Sequence, residues 1–200
     1  MHNLIKSEVY KLFHGKELII CIAAVMLFSI IMIAFGGYEN GKATLTTESR
    51  EIIGLVICTL FAVSYIGKDF TAKTVHHALT SGNARSKVFC SKFISYSVAC
   101  FILLLLNDIF MGFGYSAFYG WGESFAQQEM FFSFVYILVG ILFDLCIVSI
   151  PFFICVLIQN NAVAMVTSFG AVALIIALSQ MPWSYITERI AVHQGGDKVQ

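Results

Sequence analysis

Charge is scarce in this chain. Only 12% of its 200 residues are Asp, Glu, Lys or Arg, about half of what a soluble domain uses to cover its surface. Other absences narrow the chemistry. No Gly-x-x-x-x-Gly-Lys-Ser/Thr loop is present to cradle nucleotide phosphates, so the chain has no means of its own to draw work from ATP. No His-Glu-x-x-His helix offers a zinc site, and His76 and His77 are adjacent, which on a helix points them about 100° apart rather than at one metal. The six cysteines (21, 58, 90, 100, 146 and 155) contain no Cys-x-x-Cys pair and lie in or beside apolar runs, where cysteine behaves as a small hydrophobe. Paired catalytic residues and intramembrane-protease motifs are also missing. An enzyme with its own catalytic residues or metal is therefore not expected, nor is a nucleic-acid partner for a chain of zero net charge.

What the chain has is apolar sequence, 58% of the residues, with a mean hydropathy of +0.83. It comes in long blocks. Residues 18–35 carry no charge and suffice to cross a ~30 Å hydrocarbon core as a helix. That stretch also exceeds the apolar part of a cleaved leader, and Phe35-Gly36-Gly37-Tyr38 is a poor cleavage site. Residues 52–66 and 162–178 are equally uncharged. Residues 88–118 hold only Lys92 and Asp108, and residues 130–158 hold only Asp144. A backbone in lipid must satisfy its own hydrogen bonds, so five helices are expected, over 18–35, 52–66, 90–113, 130–158 and 162–178. The predicted fold is all-α: a polytopic membrane helix bundle forming one transmembrane domain.

The few charges are unevenly placed. With the N-terminus in the cytoplasm, residues 1–17, 67–92 and 159–161 lie inside and carry eight Lys or Arg, against four in the outside segments. The positive-inside rule favours that orientation. Two inside pieces have helical patterning. In residues 1–17, Leu4, Ile5, Val9, Leu12 and Phe13 form an apolar stripe flanked by Lys6, Glu8, Lys11 and His14, as in a helix lying at the headgroup level. In residues 67–88, Asp69 or Thr71 can cap a short helix whose stripe is Phe70, Thr74, Val75, Ala78 and Leu79. Ser81-Gly82-Asn83 ends it, and Arg85, Lys87 and Lys92 mark the start of the next span. A loop needed for topology alone does not require that stripe, so a docking role for a cytoplasmic partner is expected.

The order of these elements, followed by Gly-Lys-Asp-Phe-x-x-x-Thr-Val-x-x-x-Leu-x-x-x-x-x-Arg from Gly67 to Arg85, resembles the membrane subunits of ABC-2 type exporters. The resemblance covers the layout of most of the chain but only about twenty residues by motif. It implies that residues 67–88 are the coupling helix that seats in a separate cytoplasmic ABC ATPase, through Gly67, Asp69, Phe70, Thr74, Val75, Leu79 and Arg85. ATP and Mg would be bound by that partner, and a second permease copy or homologue would complete the transporter. Lys73 stands where the family usually has glycine. The family also usually has six spans and a cytoplasmic C-terminus, whereas residues 179–200 are expected outside here, as in a truncated chain.

Within the spans, Asp144 and Asp108, the latter beside Asn107, are the candidates for a substrate path, since ionisable groups at membrane depth face a bundle interior or a wet cavity. A packing role is the alternative for each. Pro151 is expected to kink the fourth span. The resemblance implies efflux across the plasma membrane of a peptide antibiotic, a lantibiotic or another small amphipathic molecule. The competing expectation is a non-transporting accessory or sensor whose basic loop recruits a cytoplasmic regulator.

Overall fold

The computed structural model describes residues 2–35, 48–71, 84–121, 127–158 and 160–179. Everything regular among them is α-helix: α1 (His2–His14), α2 (Lys16–Phe35), α3 (Glu48–Thr71), α4 (Arg85–Tyr119), α5 (Gln127–Leu157) and α6 (Asn161–Ser179). The expected all-α class is what the chain adopts. Five of the helices, α2 to α6, are long and apolar enough to cross a bilayer. At 1.5 Å per residue the 20 residues of α2 just match the hydrocarbon thickness, whereas the 35 of α4 reach about 50 Å and extend beyond it.

The helices alternate in direction. Near the C-terminal ends of α2 and α4, Tyr115 donates to the carbonyl of Met32 (2.8 Å) and Tyr119 to that of Ile33 (3.1 Å), so these two run parallel. In the first third of α4, Tyr96 donates to the carbonyl of Val148 in α5 at 2.9 Å. Its ring packs on Phe61 of α3 and Phe152 of α5. At the opposite end from Tyr119, Gly67 of α3 meets Asn161 of α6 so closely that a Cβ would lie 2.5 Å from Oδ1. The central element is α3, with 61% of its spanning stretch buried, against 22% for α2 and 17% for α6. Ile19, Ile20, Leu27, Ile30 and Phe35 of α2 face outward, as do Val166 and Leu174 of α6. In water, exposed apolar faces like these would mark interaction surfaces; beside acyl chains they are the ordinary exterior.

Several helix ends differ from the sequence expectation. The helix over 52–66 continues to Thr71, through Gly67, Lys68 and Asp69, so Asp69 and Thr71 belong to its last turn rather than capping a new helix. Hydropathy falls at Lys68, but backbone hydrogen bonding does not, because the new charges find partners on neighbouring helices. At the start of α4 the chain is helical from Arg85, five residues before the expected span. The first two helices are separate, as expected: Gly15 breaks the chain between His14 and Lys16. A Cβ there would stand 2.5 Å from Glu17 Oε2 and 3.0 Å from the Lys11 carbonyl, so a larger residue would displace the Glu17 side chain and crowd the last turn of α1.

Candidate functional site

A group of charges is withdrawn from the lipid-facing surface at the α1 end of the bundle. Asp69, in the last turn of α3, is only 2% exposed, and Lys92, two turns into α4, is 7% exposed. They form an ion pair with each other. Two residues of α1 complete the group. Glu8 accepts from Lys92 at 3.0 Å and from the Tyr65 hydroxyl at 2.9 Å, and Lys11 pairs with Asp69. Lys11 Nζ also stands 5.9 Å above the Tyr65 ring, within cation–π range. Two carboxylates and two ammonium groups thus make a neutral knot joining α1, α3 and α4. Neutrality matters, because an unbalanced charge at this depth would carry a desolvation penalty of several kcal/mol.

The stripe on α1 explains how Glu8 arrives there. Leu4 and Leu12 lie one turn either side of Glu8 on one face, and Leu12 is 3% exposed. Glu8 therefore belongs to the buried face, not to the polar surface the pattern had assigned it. Phe13, of the expected apolar stripe, is 51% exposed and shares the outer face with Tyr10 and His14, whose rings stack at 3.9 Å.

Beside the knot, between the α1–α2 elbow and the end of α3, lies a cavity of about 340 Å³. Its walls carry Lys11, His14, Lys16 and Lys68, with Glu17 and Tyr65; Gly15 and Asp69 complete the lining. Both carboxylates are already engaged, Glu17 by Lys68 and Asp69 by Lys11 and Lys92. The His14 Nδ1 lies 3.1 Å from the Tyr10 carbonyl. Among the described residues Lys16 makes no ion pair.

The expected coupling residues are dispersed by the structure. Gly67 is buried against Asn161, Asp69 is inside the knot, and Arg85 is exposed at the first position of α4. Phe70 is in the last turn of α3; its side chain, with Thr74, Val75 and Leu79, lies outside the described residues. The substrate-path candidates all face inward, with Asn107 1%, Asp108 6% and Asp144 5% exposed. They are not one site. The Tyr96–Val148 bond sets the register of α4 against α5. Asp144 then lies level with about residue 100 of α4, some 12 Å along the axis from Asp108. Asn107 packs towards α3, where a Cβ on Gly54 would be 3.6 Å from its Nδ2.

Sequence reasoning missed Glu8, Lys11, Tyr65 and Lys92 as a group. Two signals pointed to it: an acid centred in an apolar stripe, and a lone lysine at the head of a long apolar run. Compared with known proteins, the chain matches no family model, no curated protein and no solved structure.

Proposed function

We propose that the chain is the membrane-spanning subunit of an ATP-driven exporter of the ABC-2 type, with a separate cytoplasmic ATPase as its motor. The motif from Gly67 to Arg85 supports this reading, and so does one feature of the geometry. The connection between α3 and α4 leaves from Thr71 and returns at Arg85, and the two helices are tied by the Asp69–Lys92 ion pair within a turn or two of those points. A force applied to that connection would reach α3, α4 and, through Glu8 and Lys11, α1 as one body. That is the mechanical requirement for a coupling segment. In this reading the α1 end faces the cytoplasm of a plasma membrane, and a second permease copy completes the path. ATP and Mg are held by the partner, and the cargo is a peptide antibiotic, a lantibiotic or another small amphipathic molecule.

This reading predicts an ABC ATPase gene beside this one, and the test is co-purification with its product. Val75→Glu/Leu79→Glu, placed in the connection, should abolish both the complex and the stimulation of ATP hydrolysis while leaving the helical content of the chain unchanged. A double variant that still binds and stimulates the ATPase fully would remove the coupling assignment.

A further inference from the structure

The cavity at the α1–α2 elbow has a composition and a position that the transport reading leaves unused. We propose that it seats the phosphate of an anionic phospholipid, with the acyl chains running along the outer face of α2. Its volume of about 340 Å³ is in the range of small-ligand sites. Three lysines line it, Lys11, Lys16 and Lys68. An ammonium has three protons. Lys68 spends its bond on Glu17 and Lys11 on Asp69, so both keep donors for an incoming anion, and Lys16 has all of its own among the described residues. The lining carboxylates are neutralised by these same pairs and by Lys92, so they do not repel it.

Position selects a lipid over a free anion. Lys16 is the first residue of α2, and the apolar run begins two residues later, which puts the cavity at the headgroup level. Ile19 and Ile20, one turn above Lys16 on its side of the helix, are 61% and 65% exposed. One end of a bound amphiphile would thus meet cations and the other an open aliphatic track. Tyr10 and Phe13, exposed on the outer face of α1, lie where an interfacial helix sinks its aromatic rings.

The experiment titrates the purified, delipidated full-length chain with phosphatidylglycerol and reads occupancy by native mass spectrometry. Phosphatidylcholine with the same acyl chains and inorganic phosphate are parallel probes. The wild type should hold phosphatidylglycerol more tightly than phosphatidylcholine. Lys16→Gln should weaken the former about fivefold, the effect of one lysine at an anionic lipid surface, and leave the latter unchanged. Lys16→Arg should retain binding, and Lys68→Gln, which strips Glu17 of its counter-ion, should lose more than Lys16→Gln. Lys87→Gln, an exposed lysine in the first turn of α4, should change nothing. Equal retention by wild type and Lys16→Gln would overturn the proposal, as would an equal loss in Lys87→Gln. Displacement of phosphatidylglycerol by an equal concentration of inorganic phosphate would overturn the choice of a lipid. Because no ATPase or cargo enters the assay, its outcome is independent of the transport reading.

Discussion

Replacing Lys92 by methionine keeps the length and most of the volume of the side chain while removing its charge, so it isolates what the buried knot contributes. In the native chain Lys92 serves two acids, Asp69 and Glu8. Without it, Asp69 keeps Lys11 and Glu8 keeps the Tyr65 hydroxyl, but the group now carries one uncompensated negative charge beside a side chain that is 3% exposed. Breaking a buried pair by removing one partner costs about 3–5 kcal/mol. The residual partners place Lys92→Met at the lower end, about 3 kcal/mol. Lys11→Met removes an equal charge from the same acid, yet the Lys11 side chain is 46% exposed. Its attraction is screened, and the loss should be about 1 kcal/mol or less.

Unfolding in mixed micelles by titrated sodium dodecyl sulfate, followed by circular dichroism, measures both values. The cycle with Asp69→Asn then tests whether the two residues act on each other. Asp69→Asn/Lys92→Met restores neutrality to the interior and should be about 2 kcal/mol less damaging than the sum of its parts. Hydrogen exchange supplies a local readout, since Lys92→Met should release the amides of α1 well before those of α3. Equal losses for Lys92→Met and Lys11→Met, or a double variant as costly as the sum, would refute the claim that burial and pairing set the energy of this group.

Gly114→Ala should destabilise the α2–α4 contact by about 1–2 kcal/mol, since the added Cβ would lie 2.2 Å from Ile33 Cδ1; Ile33→Ala in the same chain should restore the loss in the same titration. Neighbouring residues on α4 should respond with opposite signs. Tyr96→Phe removes a buried bond to Val148 and should cost about 1 kcal/mol. Ser95→Ala removes a buried hydroxyl without a partner among the described residues and should be neutral or stabilising. Phe152→Ala empties a site shared by Phe89, Phe93 and Tyr96. It should cost about 2 kcal/mol, less than the same change in a soluble core, because lipid is as apolar as the bundle and only packing is lost. On the transport reading, Asp144→Asn should lower export in a resistance assay while leaving the SDS midpoint within error; unchanged export would assign Asp144 to packing.

The spans were legible because their signal is local. A stretch such as residues 18–35 announces a helix by composition alone, whatever packs beside it. Ends and contacts were not local in this way. Lys68 and Asp69 look like the exit of α3 from the membrane, and a hydropathy reading stops at Ile66, but the helix continues because Asp69 meets Lys11 and Lys92, residues 58 and 23 positions away. Nothing within a window around residue 69 carries that information. Glu8 is an intermediate case. Its place between Leu4 and Leu12 on one face was visible in the sequence, while the partners that make its burial tolerable are separated from it by 57 and 84 positions.

The distribution of polar contacts has a physical logic that apolar packing cannot supply. In a bilayer, moving a leucine from a neighbouring helix to a lipid tail changes its free energy little, so apolar faces hold helices together without fixing how far one slides along another. Directional bonds fix the register, because a displaced donor or acceptor at that depth is left without water. They are found here at three levels: the knot of Glu8, Lys11, Asp69 and Lys92 at one end, Tyr96 to Val148 one turn of α4 further in, and Tyr115 and Tyr119 to the carbonyls of Met32 and Ile33 at the other end. Each level involves α4, the longest helix. A slip of α4 by one residue, about 1.5 Å along its axis and a 100° turn of every side chain, would break the α4 bonds at all three levels together. The registers of α1, α2, α3 and α5 are therefore referred to one helix, while α6 rests on α3 and α5, and the reference helix begins at the return point of the connection on which the proposed motor acts.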